Sequence, residues 1–279
     1  MRLSVVITTF NHPEWLEKVL WGFEAQTFRD FEVLVADDGS DDRTRDLLER
    51  LRPGLGYSLV HVWHPKQGFR KCTILNAAIA RATGEYLFFT DGDCIPRRDV
   101  LAVHARLARR GRFLSGGYLK LPMETSQAIT REDILAGRAT DYAWLRAHGT
   151  PSDKQSRRLY WGPAMARLLD ATTPTRPSFN GHNASAWRDD LVRVNGFDER
   201  LEWGGLDREI GERLENAGVR GTQVRHRTIV VHLDHGRGYK RPEAMARNRA
   251  IRDEVAAKKL TRTEHGLDAH LAALGRSAS

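Results

Sequence analysis

Apolar positions in the first ninety residues fall into two alternating patterns. Leu3 to Thr9, Phe31 to Ala36, Leu59 to Trp63 and Tyr86 to Thr90 are short runs rich in β-branched and aromatic residues, the signature of strands buried in a parallel sheet. Between them the apolar residues recur at helical spacing. Leu16, Val19, Leu20 and Phe23 follow Pro13 at i, i+3, i+4 and i+7, and proline suits the first turn of a helix. Leu47, Leu48 and Leu51 form a second stripe after Ser40 or Asp41, either of which can cap it. A third helix is expected from about Cys72 to Arg81. Strands alternating with helices predict a parallel sheet covered by helices on both faces.

The pattern then loosens. Asp99 to Arg110 predicts a helix with Val100, Val103 and Leu107 inside and Arg106, Arg109 and Arg110 outside, and Phe113 to Leu121 predicts another strand. Pro122 to Arg176 is polar, basic and interrupted, with helical character from Asp133 to Arg146 and a break at Trp161-Gly162-Pro163. Arg188 to Val194 reads as a helix stopped by Asn195-Gly196. Arg227 to Leu233 is the last expected strand. Pro242 to Lys259 is a charged helix, and the remainder to Ser279 reads as a docking helix with a loose end.

The 279 residues, 41% of them hydrophobic, suffice for one large α/β domain or a domain with an appendage. No apolar run approaches the ~18–20 residues that cross a bilayer, and no signal peptide is evident before the first strand. Cys72 and Cys94 make neither a CxxC pair nor a disulfide framework, so a reducing, cytoplasmic setting is expected. A net charge of +8 favours anionic partners. No nucleic-acid motif accompanies it, so nucleic acid is not expected among them. The arginines of the Asp99 to Arg110 segment form either a solvated face or a surface for peripheral association with an anionic membrane.

Chemistry gathers just after each strand: Thr9-Phe10-Asn11, Asp37-Asp38, Lys66-Gln67-Gly68 and Asp91-Gly92-Asp93. In a doubly wound sheet such positions converge on one crevice. Residues i and i+2 of a strand project the same way, so Asp91 and Asp93 would repel unless a cation sat between them or one took up a proton. A divalent metal with phosphate beyond it is the economical answer. Each cluster alone is an ordinary turn or helix cap. Four of them at successive strand ends are not.

The stretches V-V-I-T-T-F-N, V-L-V-A-D-D-G-S-D-D-R-T, G-E-Y-L-F-F-T-D-G-D and V-N-G-F-D-E-R-L-E-W-G-G-L-D-R-E-I resemble the family 2 glycosyltransferases of the GT-A fold, from about Arg2 to Val231 with a break in the middle. The resemblance implies a mostly parallel central sheet flanked by helices, with a C-terminal helical extension. It further implies a nucleotide-sugar donor, usually a UDP-sugar, lying across the crevice. Thr9, Phe10 and Asn11 would line base and ribose, and Asp38 would accept hydrogen bonds from them with Asp37 beside it. Lys66 and Arg70 would suit the diphosphate, and Asn76 would lie near the donor. In the family's D-x-D motif, Asp91 contacts ribose or donor sugar and Asp93 coordinates Mn²⁺ or Mg²⁺. His182 and Asn183 become candidate sugar contacts.

On the same resemblance Trp203 would stack on the acceptor, Gly204 and Gly205 would let the backbone approach it, and Asp207 would be the catalytic base. Many relatives carry W-G-G-E-D here; this chain has Leu206 in place of the glutamate, leaving Asp207 with Glu209 as a backup. His232 and His235 are candidate ligands of the donor metal, as in some GT-A enzymes, and Arg237 and Lys240 of a mobile loop could reach the diphosphate. The chain thus divides into a nucleotide-sugar-binding half, 1–121, an acceptor-binding and catalytic half of the same domain, 122–239, and a helical tail, 240–279. The expected activity is inverting, metal-dependent sugar transfer to a saccharide or glycoconjugate acceptor in bacterial-type polysaccharide, lipopolysaccharide or glycoconjugate synthesis. A sugar nucleotidyltransferase should show a glycine-rich basic loop, and residues 8–13 hold no glycine. A catalytically silent binding protein is the other alternative, supported by Leu206.

Overall fold

The four N-terminal apolar runs become adjacent parallel strands in the computed structural model, which describes residues 1–236 and 241–277. β1 (Leu3–Thr9), β2 (Phe31–Asp37), β3 (Ser58–Trp63) and β4 (Tyr86–Asp91) lie in the spatial order β3, β2, β1, β4. Register brings the strand ends level: Thr8 of β1 stands opposite Ala36 on one side and Asp91 on the other. Both faces of the sheet are covered. Val5 and Ile7 point into the core that holds Leu16, Leu20 and Phe23 of α1 (Pro13–Glu24). Val6 points the other way, toward Ile74, Leu75 and Ala78 of α3 (Lys71–Arg81). α2 (Asp42–Leu51) starts at the Asp41 cap, whose carboxylate accepts from the Arg43 amide. The expected α/β architecture with a C-terminal helical extension is what the chain adopts.

The Phe113 to Leu121 strand is in fact two. After β5 (Cys94–Pro96) and α4 (Val100–Leu107), β6 (Arg112–Ser115) joins the large sheet and β7 (Gly117–Lys120) joins a second, three-stranded one. Gly116 makes the switch. Its N–H donates to the Asn183 carbonyl at 2.8 Å, and a Cβ there would meet the Asn183 amide carbon at 2.2 Å. The Asn183 amide then donates to the Gly117 carbonyl at 2.7 Å, stitching the two sheets together.

The Asp133 to Arg146 segment is also broken. α5 (Met123–Ala128) precedes α6 (Arg131–Leu135), and Gly137, at φ 84°, turns the chain before α7 (Tyr142–Ala147) starts on an Asp141 cap. α8 (Pro163–Thr172) begins on the proline expected to interrupt the pattern. β8 (Ala184–Trp187) runs antiparallel between β4 and β6, followed by α9 (Arg188–Arg193) and α10 (Leu206–Asn216). β9 (Arg220–Gln223) extends the large sheet, and β10 (Ile229–His232) lies between β5 and β7. α11 (Pro242–Lys258) and α12 (Asp268–Ser277) finish the described chain, with α12 against α3. The loop expected around Arg237 and Lys240 lies outside the described residues.

α4 stops at Leu107, so Arg109 and Arg110 lie beyond the helix that was expected to display them. Arg110 is engaged: it pairs with Asp189 at 3.0 Å and lies 3.8 Å over the Trp187 ring. No helix among the described residues is long and apolar enough to cross a membrane.

Candidate active site

The carboxyl ends of β1, β2 and β4 open into a cavity of about 900 Å³. β4 ends at Asp91, and Gly92-Asp93 is already a turn leading to β5, so the two carboxylates diverge instead of sharing a strand face. The turn lies tight on β1, with the Gly92 N–H donating to the Thr8 carbonyl at 2.7 Å. Asp91 Oδ1 accepts from Lys71 Nζ at 2.6 Å and from Thr8 Oγ1 at 2.7 Å. Burial alone would raise the Asp91 carboxyl; the adjacent Lys71 charge overrides it and holds the group well below the usual carboxylate range. Repulsion between the two aspartates is relieved on this side by a cation of the chain itself.

Asp93 turns toward β10 and the loop after it. His235 Nε2 lies 2.9 Å from its Oδ2, His232 Nε2 lies 3.8 Å from its Oδ1, and the two imidazoles stack with centroids 5.3 Å apart. Ligand atoms of Asp93, Cys94 and His232 all fall within 4.8 Å of one another, a cluster able to hold a metal ion. Cys94 donates its S–H to Asp93 Oδ1, and burial pushes its thiol well above the ordinary value. With His235 the site offers one carboxylate, two imidazoles and a thiol.

Across the cavity, Phe10 presents a ring that is 41% exposed, with Lys66 Nζ 3.7 Å above it. Asp38 accepts from Lys66 at 2.7 Å and sits 2.8 Å from His64 Nε2. Thr9 and Asn11 line the same wall. Asn11, at φ 51°, ties two strand ends together: its N–H donates to Ser40 Oγ and its Oδ1 accepts from the Asp41 N–H, both at 2.9 Å. Asp37 lies behind this wall, buried, accepting from the Ser40 N–H at 2.8 Å with His61 beside it. It shapes the turn and does not line the cavity.

Three other expected donor contacts also lie elsewhere. The Arg70 guanidinium donates outward to Gln67. Asn76 is fully buried and spans to the far segment, donating to the Phe197 carbonyl and Glu199 and accepting from the Phe197 N–H. Asn183 is the sheet junction already described, with His104 Nε2 3.0 Å from its Oδ1. Besides Lys66 the cavity is lined by Lys71, which sequence reasoning passed over. A signal existed: α3 carries a lysine at its first position and no acid in its first turn, against the helix dipole.

The last wall is the start of α10. Gly204 and Gly205 have φ 107° and 93°, a region where a side chain would strain the backbone, and Trp203 stands beside them at the cavity. Asp207 follows in the first helical turn. Its Oδ1 is buried without a hydrogen-bond partner, directly over Gly181, where a Cβ would come within 2.6 Å of it. Burial raises the Asp207 carboxyl above the ordinary aspartate range, against the opposing charge of Lys71. Glu209 cannot stand in for it. That side chain is fully buried in an ion pair with Arg213, at 2.6 and 2.7 Å, and Arg213 also holds the Gly196 carbonyl. Leu206 belongs to the apolar core. A second cavity, about 370 Å³, opens beyond, and Gly205 and Asp207 line both.

A mixed α/β sheet whose strand ends gather an Asp-Gly-Asp turn, a large cleft and a carboxylate on a helix has the fold of a GT-A-like nucleotide-sugar transferase. Residues 4–162 match the sequence model of glycosyl transferase family 2, and residues 173–236 match one described as the N-terminal domain of galactosyltransferase. The chain belongs to glycosyl transferase family 2, a family of sugar-transferring enzymes. It is 30% identical over 234 residues to validoxylamine A glucosyltransferase of Streptomyces hygroscopicus subsp. jinggangensis, covering 78% of this chain and 52% of that protein. The chain therefore spans about half the length of that relative. Among solved structures it is similar to the mannosyltransferase PcManGT from Pyrobaculum calidifontis in complex with GDP-Man and Mn²⁺, with TM-score 0.56, 21% identity, and 99% and 79% of the two chains covered. It is likewise similar to S. aureus TarS 1-349 in complex with UDP, with TM-score 0.60, 17% identity, and 98% and 70% covered.

Proposed function

We propose that this chain transfers a sugar from a nucleotide-sugar donor, a UDP-sugar in the first instance, to a hydroxyl of a saccharide or glycoconjugate acceptor with inversion. The observation that carries the reading is Asp207, the one carboxylate among the described residues that lines both cavities. The Asp207 carboxylate accepts the proton of the acceptor hydroxyl as the hydroxyl oxygen bonds to the anomeric carbon and the bond to the diphosphate breaks. In-line attack without a glycosyl-enzyme needs one carboxylate, and Glu209 is committed to Arg213. Trp203, Gly204 and Gly205 orient the acceptor. Phe10 offers its ring to the base, with Thr9, Asn11 and Asp38 beside it, and Lys66 faces the phosphates. Asp91, fixed by Lys71, meets ribose or donor sugar.

Asp93 with His232 and His235 would hold Mn²⁺ or Mg²⁺, which when bound supplies positive charge to the departing nucleoside diphosphate. Residues 1–121 serve the donor, 122–239 serve acceptor and catalysis, and 240–279 form the tail. A place in polysaccharide, lipopolysaccharide or glycoconjugate synthesis belongs to the same proposal. The two buried free thiols are in keeping with a cytoplasmic setting, and association with an anionic membrane would fall to the exposed Arg106 and Arg109. The test is to incubate the protein with UDP-sugars and Mn²⁺ and follow donor breakdown or transfer. UDP binding without turnover would favour a silent binding protein, the reading that Leu206 supports. Asp93→Ala should abolish Mn²⁺-dependent UDP binding, and calorimetry showing unchanged affinity would overturn the metal assignment.

A further inference from the structure

The smaller cavity carries an unbalanced charge. Arg158, Arg208 and Arg225 line it, and the one acidic side chain among its lining residues is Asp207. Arg158 stands on a single 3-10 turn, Ser156–Leu159, Arg208 in the first turn of α10, and Arg225 just past β9. None of the three forms an ion pair among the described residues, whereas Arg200, Arg213, Arg227 and Arg252 all do. The nearby acids are occupied elsewhere. Asp170 holds Arg227 at 2.7 Å and His226 at 3.0 Å, and Asp153 accepts from the Gln155 and Ser156 amides at 2.9 and 2.8 Å. Arg225 reaches only a neutral group, the Gln223 amide oxygen at 3.0 Å in that amide's hydrogen-bonded orientation.

Arg158 and Arg225 are both partly buried and near enough to oppose each other. Burial first, and the Arg225 charge second, push the Arg158 guanidinium below the ordinary arginine value. His182 on the same wall adds no negative charge. Two planar guanidinium forks on one cavity, neither in an ion pair among the described residues, suit an oxyanion that both can bind through paired N–H donors. The anion would sit next to Asp207 without needing to touch it.

We infer that the smaller cavity is the acceptor subsite and takes a sugar bearing an anionic group, a carboxylate or a phosphate, held by Arg158 and Arg225 while a hydroxyl of that sugar meets Asp207. The inference rests on the glycosyltransferase reading and narrows its acceptor from any saccharide to an acidic one. Binding of methyl β-D-glucuronide, methyl β-D-glucoside 6-phosphate and methyl β-D-glucoside is compared by NMR titration, with and without saturating UDP and Mn²⁺. The two anionic glycosides should bind at least about tenfold tighter than the neutral one, and the stronger of them identifies the group. Arg158→Gln with Arg225→Gln should erase that preference and leave UDP affinity unchanged. Arg225→Gln alone, at a partly exposed site past the sheet edge, should reduce it and serves if the double variant does not fold. Equal affinities, no binding of any glycoside, or a preference that survives the substitutions overturns the subsite. Absence of UDP binding in the unsubstituted protein would instead sink the transferase reading, while the titration without UDP still decides the anion preference.

Discussion

The two cavities that meet at Asp207 differ in how their charges are compensated. In the larger, each strand-end carboxylate has a partner already in place: Asp38 has Lys66 and His64, Asp91 has Lys71, and Asp93 has His235. In the smaller, Arg158, Arg208 and Arg225 form no ion pair among the described residues. Asp207 belongs to both and shows the consequence. It feels the same Lys71 charge as Asp91, yet the two carboxyls move in opposite directions. Asp91 receives a direct hydrogen bond from the ammonium; Asp207 does not, and desolvation wins. A fixed partner keeps a carboxylate charged and inert, and a buried oxygen without one is left able to take a proton.

The largest expected effect breaks this contrast at Asp207. Asp207→Asn should lower turnover by about 10²–10⁴-fold with UDP affinity nearly unchanged, measured by transfer kinetics and calorimetry on the same preparation. Because the folded-state value is raised above the unfolded one, the stability linked to this group is present at low pH and is lost as pH rises through the folded value. At neutral pH the charged side chain therefore weighs against the fold, and the variant should melt no lower than the parent. The acid limb of the parent's pH–rate profile should lie above the ordinary aspartate range and vanish in the variant. Near-normal transfer by folded Asp207→Asn protein would end this mechanism.

Lys71→Met attacks the other carboxylate. Stripping Asp91 of its cation should cost roughly 2–3 kcal/mol in denaturant unfolding at neutral pH. Here the folded value is depressed, so the contribution is complete above the unfolded value of about 3.9 and disappears as pH falls through the folded one. The parent and variant curves should converge in acid. A variant as stable as the parent at pH 7 would show that the pairing contributes nothing.

Asn76→Ala separates a core residue from a donor contact. It should cost about 1–3 kcal/mol by leaving the Phe197 backbone groups unpaired, with UDP affinity unaltered. Weakened UDP binding at full stability would return Asn76 to the donor site. The smallest effect concerns the exposed arginines. Arg106→Glu and Arg109→Glu should each weaken binding to anionic liposomes by about 1 kcal/mol at moderate salt. Flotation that ignores both substitutions would make this stretch a solvated face.

Part of the site was legible because its signals are local. Hydrophobic period marked β1 to β4 and the helices between them within a residue or two, and the polar clusters at their ends fell around one cleft. The Trp-Gly-Gly-Leu-Asp stretch gave two glycines and an acid, and the backbone there does take the left-handed turn that only glycine adopts easily. The interval from 122 to 176 resisted the same treatment. Its helices are five to ten residues long, and caps and single turns set their limits where a long apolar stripe would have done so elsewhere.

By itself, then, the sequence determined the run of strands and helices in the first half, the placing of Asp91 at the end of β4, and the acid that opens α10. These depend on residues a few positions apart, where backbone geometry dictates which side chains share a face. Only the tertiary structure decided which polar groups line the cavities and which hold the core. Asn76 is consumed by a partner 121 residues away and Asn183 by the junction of two sheets, while Lys71, Arg158 and Arg225 line the cavities. A buried polar group takes whatever donor or acceptor the fold brings to it, and at such separations no local pattern records which one that is.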